Sequence, residues 1–343
     1  MAHYRESIRD YEILNLEDFE FQSGITVPNV KLAYKTYGTL NNEADNAILL
    51  LHGVSGTHES AASVLIKGRK RAISPQKHFI IAPNMFGNGL SSSPSNTPPP
   101  FERAAFPPVT IYDNVRAQHK LVTEELGISK LRLVVGSSMG GLQSFHWAAI
   151  HPDVVENVVP ICATAKCSGH NWLFLEGLVA TLEADPIFAG GSFAEYPHEG
   201  MRAFCTVYAA WAFSQEFFRQ DGHIKLGLNS FKDTPDVLAQ LFVPQDPNDL
   251  LTRIRAWQNA DISDNPIYQG DFKAALGSIK AKAMLMPTST DQYFWPDDNR
   301  DEVSAMPNAE FREIPTMWGH MGGLGMDPAD REFVDRAIRD LID

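Results

Sequence analysis

Gly136-Ser137-Ser138-Met139-Gly140 offers two adjacent serines, and the register of the glycines selects one of them. Only Ser138 has glycine both two residues before and two residues after it. Glycines there let the backbone turn sharply from a strand into a helix and hold the hydroxyl above a sheet. The apolar run LRLVV precedes the turn and the helix-like LQSFHWA follows it, which is the context such a turn needs. Ser137 lacks the second glycine and is expected to face packing. A serine hydroxyl is a poor nucleophile until a base, usually histidine, is held beside it by a carboxylate. On this kind of turn the chain order is serine, acid, histidine. Asp291 in LMPTSTDQYFWP and His320 in IPTMWGHMGG satisfy that order. The other ten of the 11 histidines lie mostly before the acid and break it. Asp297 and Asp298 rival Asp291, but they stand at a helix start, where capping accounts for them. The tetrahedral intermediate needs two N–H donors. The backbone N–H of Met139 is one, and the N–H of Val54, in LLLHGVSG, is the candidate for the other. His52 in the same loop suits a structural hydrogen bond better than a base.

Such a constellation needs a rigid scaffold, and the sequence supplies its parts. VKLAYKTYGTL alternates and then turns. NAILLLHGV, HFIIAPN, LRLVVGS, VENVVPICAT and KAMLMPTST are short apolar runs of the kind that form buried strands. Residues 112–126 have helical spacing and stop at Gly127. Strands alternating with helices predict a mostly parallel sheet flanked by helices, an α/β fold. Residues 165–275 break that rhythm with aromatic, helix-forming stretches. They are expected to form a helical cap over the carboxyl edge of the sheet, inserted into a core of residues 1–164 and 276–343. Segment 91–100, SSSPSNTPPP, is expected to be a proline-rich surface loop. The 343 residues, 44% of them apolar, suffice for a large core. The net charge of −13 argues against nucleic acid and anionic membrane as partners. No apolar run is long enough to span a bilayer, and the amino-terminal stretch has no apolar signal region. Cys162, Cys167 and Cys205 fit no zinc spacing and are expected to be reduced thiols in a cytoplasmic protein.

Together these segments resemble the homoserine O-acetyltransferase family of α/β-hydrolases, over about residues 19–330. The resemblance rests on AYKTYGTLNNEADNAILLLHGVSG, FPPVTIYDNVRAQHKLVTEELGI, GSSMGGLQSFHWAAIHPDVVENVVPICATA, DQYFWP and the GH at 319–320. It implies the α/β-hydrolase fold, a helical cap, a ping-pong acyl-enzyme mechanism and a homodimer paired through the caps. It implies no metal and no bound cofactor. Departures from the family pattern bear on the substrate. The family has Asp directly after the catalytic histidine, where this chain has Met321. The family's carboxylate-binding cap arginine is matched by Arg202, a candidate substrate-binding residue together with Met321. Its tyrosine seven residues further on is not matched, because position 209 is Ala and Tyr208 falls one short. An arginine of the first cap helix is replaced by an apolar residue near Val179, and the loop NMFGNGLSSSP is more like that of a general esterase. Burying an ammonium without a carboxylate partner is costly, so a substrate without an amino group is expected. The expectation is therefore a carboxylic ester hydrolase for short-acyl, acetate-type esters. The alternative is an acetyltransferase from acetyl-CoA to homoserine or another alcohol. A catalytically dead member serving as a binding module is disfavoured by the complete triad order.

Overall fold

The computed structural model describes residues 7–68 and 71–343; the first six residues of the amino-terminal stretch lie outside them. Among the described residues ten strands form: β1 (Glu12–Leu16), β2 (Phe19–Glu20), β3 (Thr26–Val27), β4 (Val30–Tyr37), β5 (Ala47–Leu51), β6 (Phe79–Pro83), β7 (Leu133–Ser137), β8 (Asn157–Ile161), β9 (Lys282–Leu285) and β10 (Ala309–Phe311). Strands β2 and β3 make a small antiparallel pair. The other eight form one sheet in the order β1-β4-β6-β5-β7-β8-β9-β10. From β6 across to β10 every pairing is parallel, and β4 runs against both of its neighbours. Each apolar run singled out in the sequence is a strand of this sheet.

Strand β5 shows why these runs carry no polar alternation. All five residues of AILLL are buried, as a central parallel strand covered on both faces requires. Leu49 and Leu51 pack on one side with Leu142 and Phe145 of the helix Met139–Ile150. Ile48 and Leu50 pack on the other with Val334 and Ile338 of the helix Pro328–Ile342. The helix Met139–Ile150 is buried at all twelve positions, between the sheet and its flanking elements, so it is apolar all round.

Between β8 and β9 the chain leaves the sheet and forms the helices Gly169–Glu183, His198–Ala212, Gln215–Arg219, Gly222–Lys225, Thr234–Phe242 and Pro247–Gln258. Their shared interior is aromatic: Phe174 stacks on Tyr293 at 5.0 Å, and Phe204 and Tyr208 pack against Phe242. The chain has already returned to the core by Tyr268, whose hydroxyl donates to the Ala149 carbonyl at 2.6 Å.

Segment 91–100 is not the surface loop that its composition suggests. Ser91 and Ser93 are fully buried and Ser92 nearly so. The Ser91 hydroxyl donates to the Asn84 carbonyl and accepts from the Ala33 N–H, and the Ser92 hydroxyl accepts from the Lys31 N–H. These serines satisfy backbone groups of β4 and of the loop after β6, a use that a count of Ser and Pro does not reveal. Only the later part, around the prolines, reaches the surface.

Candidate active site

Ser138 sits at φ 59°, ψ −126°, between the last residue of β7 and the first of the helix Met139–Ile150. A non-glycine residue at positive φ is strained, and such strain concentrates at functional turns. The flanking glycines make the turn possible by what they lack. A Cβ on Gly136 would lie 2.5 Å from the Gly140 carbonyl carbon, and one on Gly140 would lie 2.3 Å from the Leu51 carbonyl oxygen. The Ser138 N–H donates to Ile161 of β8 at 2.9 Å, and its carbonyl accepts from Gly141 at 2.7 Å. The hydroxyl therefore stands at the carboxyl edge of the sheet, on a cavity of about 380 Å³.

Asp291 and His320 are brought together by the loops that follow β9 and β10. His320 Nδ1 and Asp291 Oδ2 are 2.8 Å apart, both side chains being buried. The other carboxylate oxygen accepts from the Tyr293 and Phe294 N–H groups, each at 3.1 Å. Two backbone donors thus fix the carboxylate, and the carboxylate holds the imidazole through Nδ1. The ring is also boxed by aromatics, Tyr293 at 4.6 Å and Phe294 at 5.6 Å between centroids. Burial pulls the imidazole pKa down, but the Cys162 sulfur and the Asp291 carboxylate beside it outweigh burial and hold it above the ordinary histidine value. His320 and Ser138 line the same cavity. Asp297 and Asp298 belong to the first turn of the helix Pro296–Ala305 instead, where acidic residues suit the helix dipole.

The loop after β5, which carries the candidate oxyanion donor Val54, crosses directly over Ser138. A Cβ at Gly53 would lie 3.4 Å from Ser138 Cβ, so a side chain there would crowd the hydroxyl. The Gly53 carbonyl accepts from the Gly56 N–H at 3.0 Å and lies 2.8 Å from His52 Nδ1. In a trans peptide the N–H points opposite to the carbonyl, so the Val54 N–H is turned away from that inner hydrogen-bonded turn. Met139 supplies the N–H after Ser138, in the first helical turn, where an N–H has no partner four residues back. His52 Nε2 accepts from the Met85 N–H at 3.0 Å, which commits both ring nitrogens to structure.

Met321 is buried and borders the cavity. Ser137 borders it as well as facing packing. Arg202 does not reach it. Its guanidinium is about three-quarters exposed and pairs with Glu199 at 2.8 Å on the same helix turn. The helix His198–Ala212 buries Met201, Phe204, Cys205, Tyr208 and Ala209. At about 100° per residue Arg202 falls on the outer face of that helix, away from the cavity, so the structure does not bring this candidate substrate-binding residue to Ser138. Among the described residues, the one of that helix at the cavity is Tyr208, with Leu238, Leu241 and Phe242 from the helix Thr234–Phe242. Tyr208 stands one position from the family's tyrosine; the leucines carry no signal beyond helical periodicity. Among the described residues that line the cavity, none is Asp or Glu. The three cysteines are free, and the described residues hold no group of three His, Cys, Asp or Glu able to take a metal.

Known proteins share the chain pattern and the overall fold. Residues 46–324 match the model of the alpha/beta hydrolase fold family. The chain belongs to that family. An ethyl acetate hydrolase of Pseudomonas veronii is 38% identical over 335 residues, covering 97% of this chain and 95% of the relative. The solved structure of an acetylester hydrolase from Corynebacterium glutamicum superimposes with a TM-score of 0.93 at 38% identity, covering 97% of this chain and 95% of that one. A homoserine O-acetyltransferase of Solidesulfovibrio magneticus is 31% identical over 359 residues, covering 93% of this chain and 89% of the relative. This α/β-hydrolase is an enzyme, of the serine hydrolase type. Among its described residues no helix is long and apolar enough to cross a membrane.

Proposed function

We propose that the protein hydrolyses short-acyl esters, acetate esters of uncharged alcohols first among them, through an acyl-enzyme on Ser138. The observation that carries this reading is the cavity: a strained serine and a carboxylate-held histidine face a space whose lining includes Met321, Tyr208, Leu238, Phe242 and Leu324 and no carboxylate. An amino acid acceptor would have to leave its ammonium unpaired there. The relatives named for ethyl acetate and acetylester hydrolysis agree with that preference.

In the proposed cycle His320 Nε2 removes the Ser138 proton as Oγ attacks the ester carbonyl. The N–H groups of Met139 and Val54 receive the charge that develops on the carbonyl oxygen, an interaction worth ~3–4 kcal/mol per donor in the transition state. The imidazolium, stabilised by Asp291, then protonates the leaving alcohol. A water molecule enters, gives its proton to His320 and cleaves the acyl-enzyme to the acid and free Ser138.

The test is a direct competition of acceptors. Turnover of ethyl acetate is measured with and without homoserine, and acetyl-CoA is offered with homoserine as sole acceptor. Acetate release that is indifferent to homoserine is expected. Efficient formation of O-acetylhomoserine from acetyl-CoA would replace this reading with that of an acyltransferase.

A further inference from the structure

One cap side chain reaches through to the loop that carries the second oxyanion donor. Arg253 lies on the helix Pro247–Gln258 and is 1% exposed. Its Nη1 donates to the Val54 carbonyl. Its Nε donates to the Gly87 carbonyl at 2.7 Å and to the Asp249 carbonyl at 3.1 Å. Its Nη2 donates to Gln245 Oε1 at 2.6 Å, and Gln245 Nε2 in turn donates to the Ser55 carbonyl at 3.4 Å. Gln245 is also buried. A single guanidinium therefore grips the loops after β5 and β6 and also orients a second cap residue that holds the first loop. A planar fork of fixed donors suits that task, and a lysine ammonium cannot reproduce it.

The consequence falls on Val54. The peptide on its amino side is pinned by its carbonyl, that of Gly53, through Gly56 and His52. The peptide on its carboxyl side is pinned by Arg253 through the Val54 carbonyl. With both planes held, the Val54 N–H keeps one direction. We propose that Arg253 is a positioning residue for the oxyanion hole, through which the seating of the cap on the core sets the orientation of the Val54 donor. The cap is then part of the catalytic apparatus as well as a wall of the pocket. The proposal rests on the reading of Ser138 as nucleophile and Val54 as oxyanion donor.

Three variants test it: Arg253→Lys, Gln245→Met and, as reference, Ser138→Ala. Steady-state ethyl acetate hydrolysis gives kcat and KM. A trifluoromethyl ketone, to which Ser138 adds and which places an oxyanion in the hole, reports on the donors themselves. For Arg253→Lys, kcat is expected to fall on the order of 10²-fold, the effect of a misplaced catalytic group. KM should stay within about twofold, as uniform binding is untouched, and affinity for the ketone should weaken in step with kcat. Gln245→Met, which keeps the arginine, should show a smaller loss with the same signature. A folded Arg253→Lys enzyme with unchanged kcat and ketone affinity overturns the proposal. If that variant does not fold, unchanged kcat and ketone affinity in Gln245→Met overturns it. Fluorophosphonate labelling that is present in the wild type and absent in Ser138→Ala establishes the nucleophile separately, so a null result with the cap variants falls on the Arg253–Val54 coupling and leaves the reading of Ser138 intact.

Discussion

At the scale of single residues, the site depends on how His320 is held. Its Nδ1 faces Asp291 Oδ2 at 2.8 Å, and Asp291 is itself fixed by two backbone N–H groups. Asp291→Asn keeps the shape but offers an N–H where an acceptor is needed, favouring the wrong imidazole tautomer. A fall in kcat on the order of 10⁴-fold is expected, as for other enzymes with this triad. The pH profile probes the same pair independently. His320 must be neutral to act as base, and the neighbours that outweigh its burial hold it above the ordinary value of 6.5. Below its raised pKa the imidazolium dominates and the enzyme is idle, so kcat/KM should climb with pH through and beyond neutrality. Removing the Asp291 charge removes one of those raising influences. The acid limb of the residual activity in Asp291→Asn should therefore move to lower pH. A wild-type limb at or below 6.5, or one that does not move in the variant, would count against this account of the site.

At the scale of elements, the same glycines that single out Ser138 in the sequence are steric requirements in the fold. Gly140→Ala would set a methyl 2.3 Å from the Leu51 carbonyl oxygen, at the end of β5 where the oxyanion loop begins. No rotamer relieves that contact. A loss of roughly 1–3 kcal/mol or more is expected, together with loss of activity. Gly177, exposed within the helix Gly169–Glu183, has open space where its Cβ would be. Gly177→Ala should instead stabilise the protein by roughly 0.4–1 kcal/mol, with catalysis unchanged; thermal unfolding of the two variants checks both signs. The contrast also marks what the sequence makes legible. The turn at Ser138 and the meeting of Asp291 with His320 are readable because strand, turn and helix signals are local and the order of the three residues follows the sheet edge. The strands are readable because a parallel sheet covered on both faces leaves continuous apolar runs such as AILLL. The far side of the pocket is not. Arg202 and Tyr208 share one helix, and which of them faces the cavity depends on how that helix is rotated against its neighbours, a tertiary fact. Arg253 lies 199 residues from Val54, and nothing local distinguishes it from the half-exposed Arg255 two positions on. The buried serines at 91–93 are hidden for a different reason: polar composition points to exposure, while those hydroxyls serve backbone groups inside.

At the scale of the whole molecule, the helices inserted between β8 and β9 are joined to the rest of the chain by buried polar groups, and these are expected to make stability depend on pH. Glu302, on the helix that follows the catalytic aspartate loop, accepts from the Ala165 N–H at 2.6 Å and from Asn299 at 2.6 Å. Ala165 lies where the chain departs from the core for the cap. Burial, partly offset by those hydrogen bonds and reinforced by Asp298 and Asp301, pushes the Glu302 carboxyl from 4.5 to about 8. Asp249, in the first turn of the helix that carries Arg253 and held there by Ser95, is pushed by burial from 3.8 to about 7, with Asp246 adding to the rise. For both groups the folded chain keeps a proton that the unfolded chain has already released. The folded state then binds more protons, so the stability these groups confer is full below the unfolded values and is lost as pH rises through the folded ones. The fold should therefore weaken between about pH 4.5 and 8, a tenfold difference in acidity between folded and unfolded chain corresponding to about 1.4 kcal/mol, while His320 makes turnover rise over that same range. Titration of the base thus shapes the acid side of the activity profile, and loosening of this junction is expected to limit the alkaline side. Glu302→Gln separates the two. An amide cannot ionise, so relative to the wild type the variant should gain urea resistance as pH is raised from about 5 to about 8, retaining only the shallower slope due to Asp249. Its acid limb of kcat/KM should stay where it was, because Glu302 does not touch His320. Parallel urea midpoints for the two proteins across that range would show that Glu302 is ionised in the folded state, and that the junction is not what limits the enzyme in base.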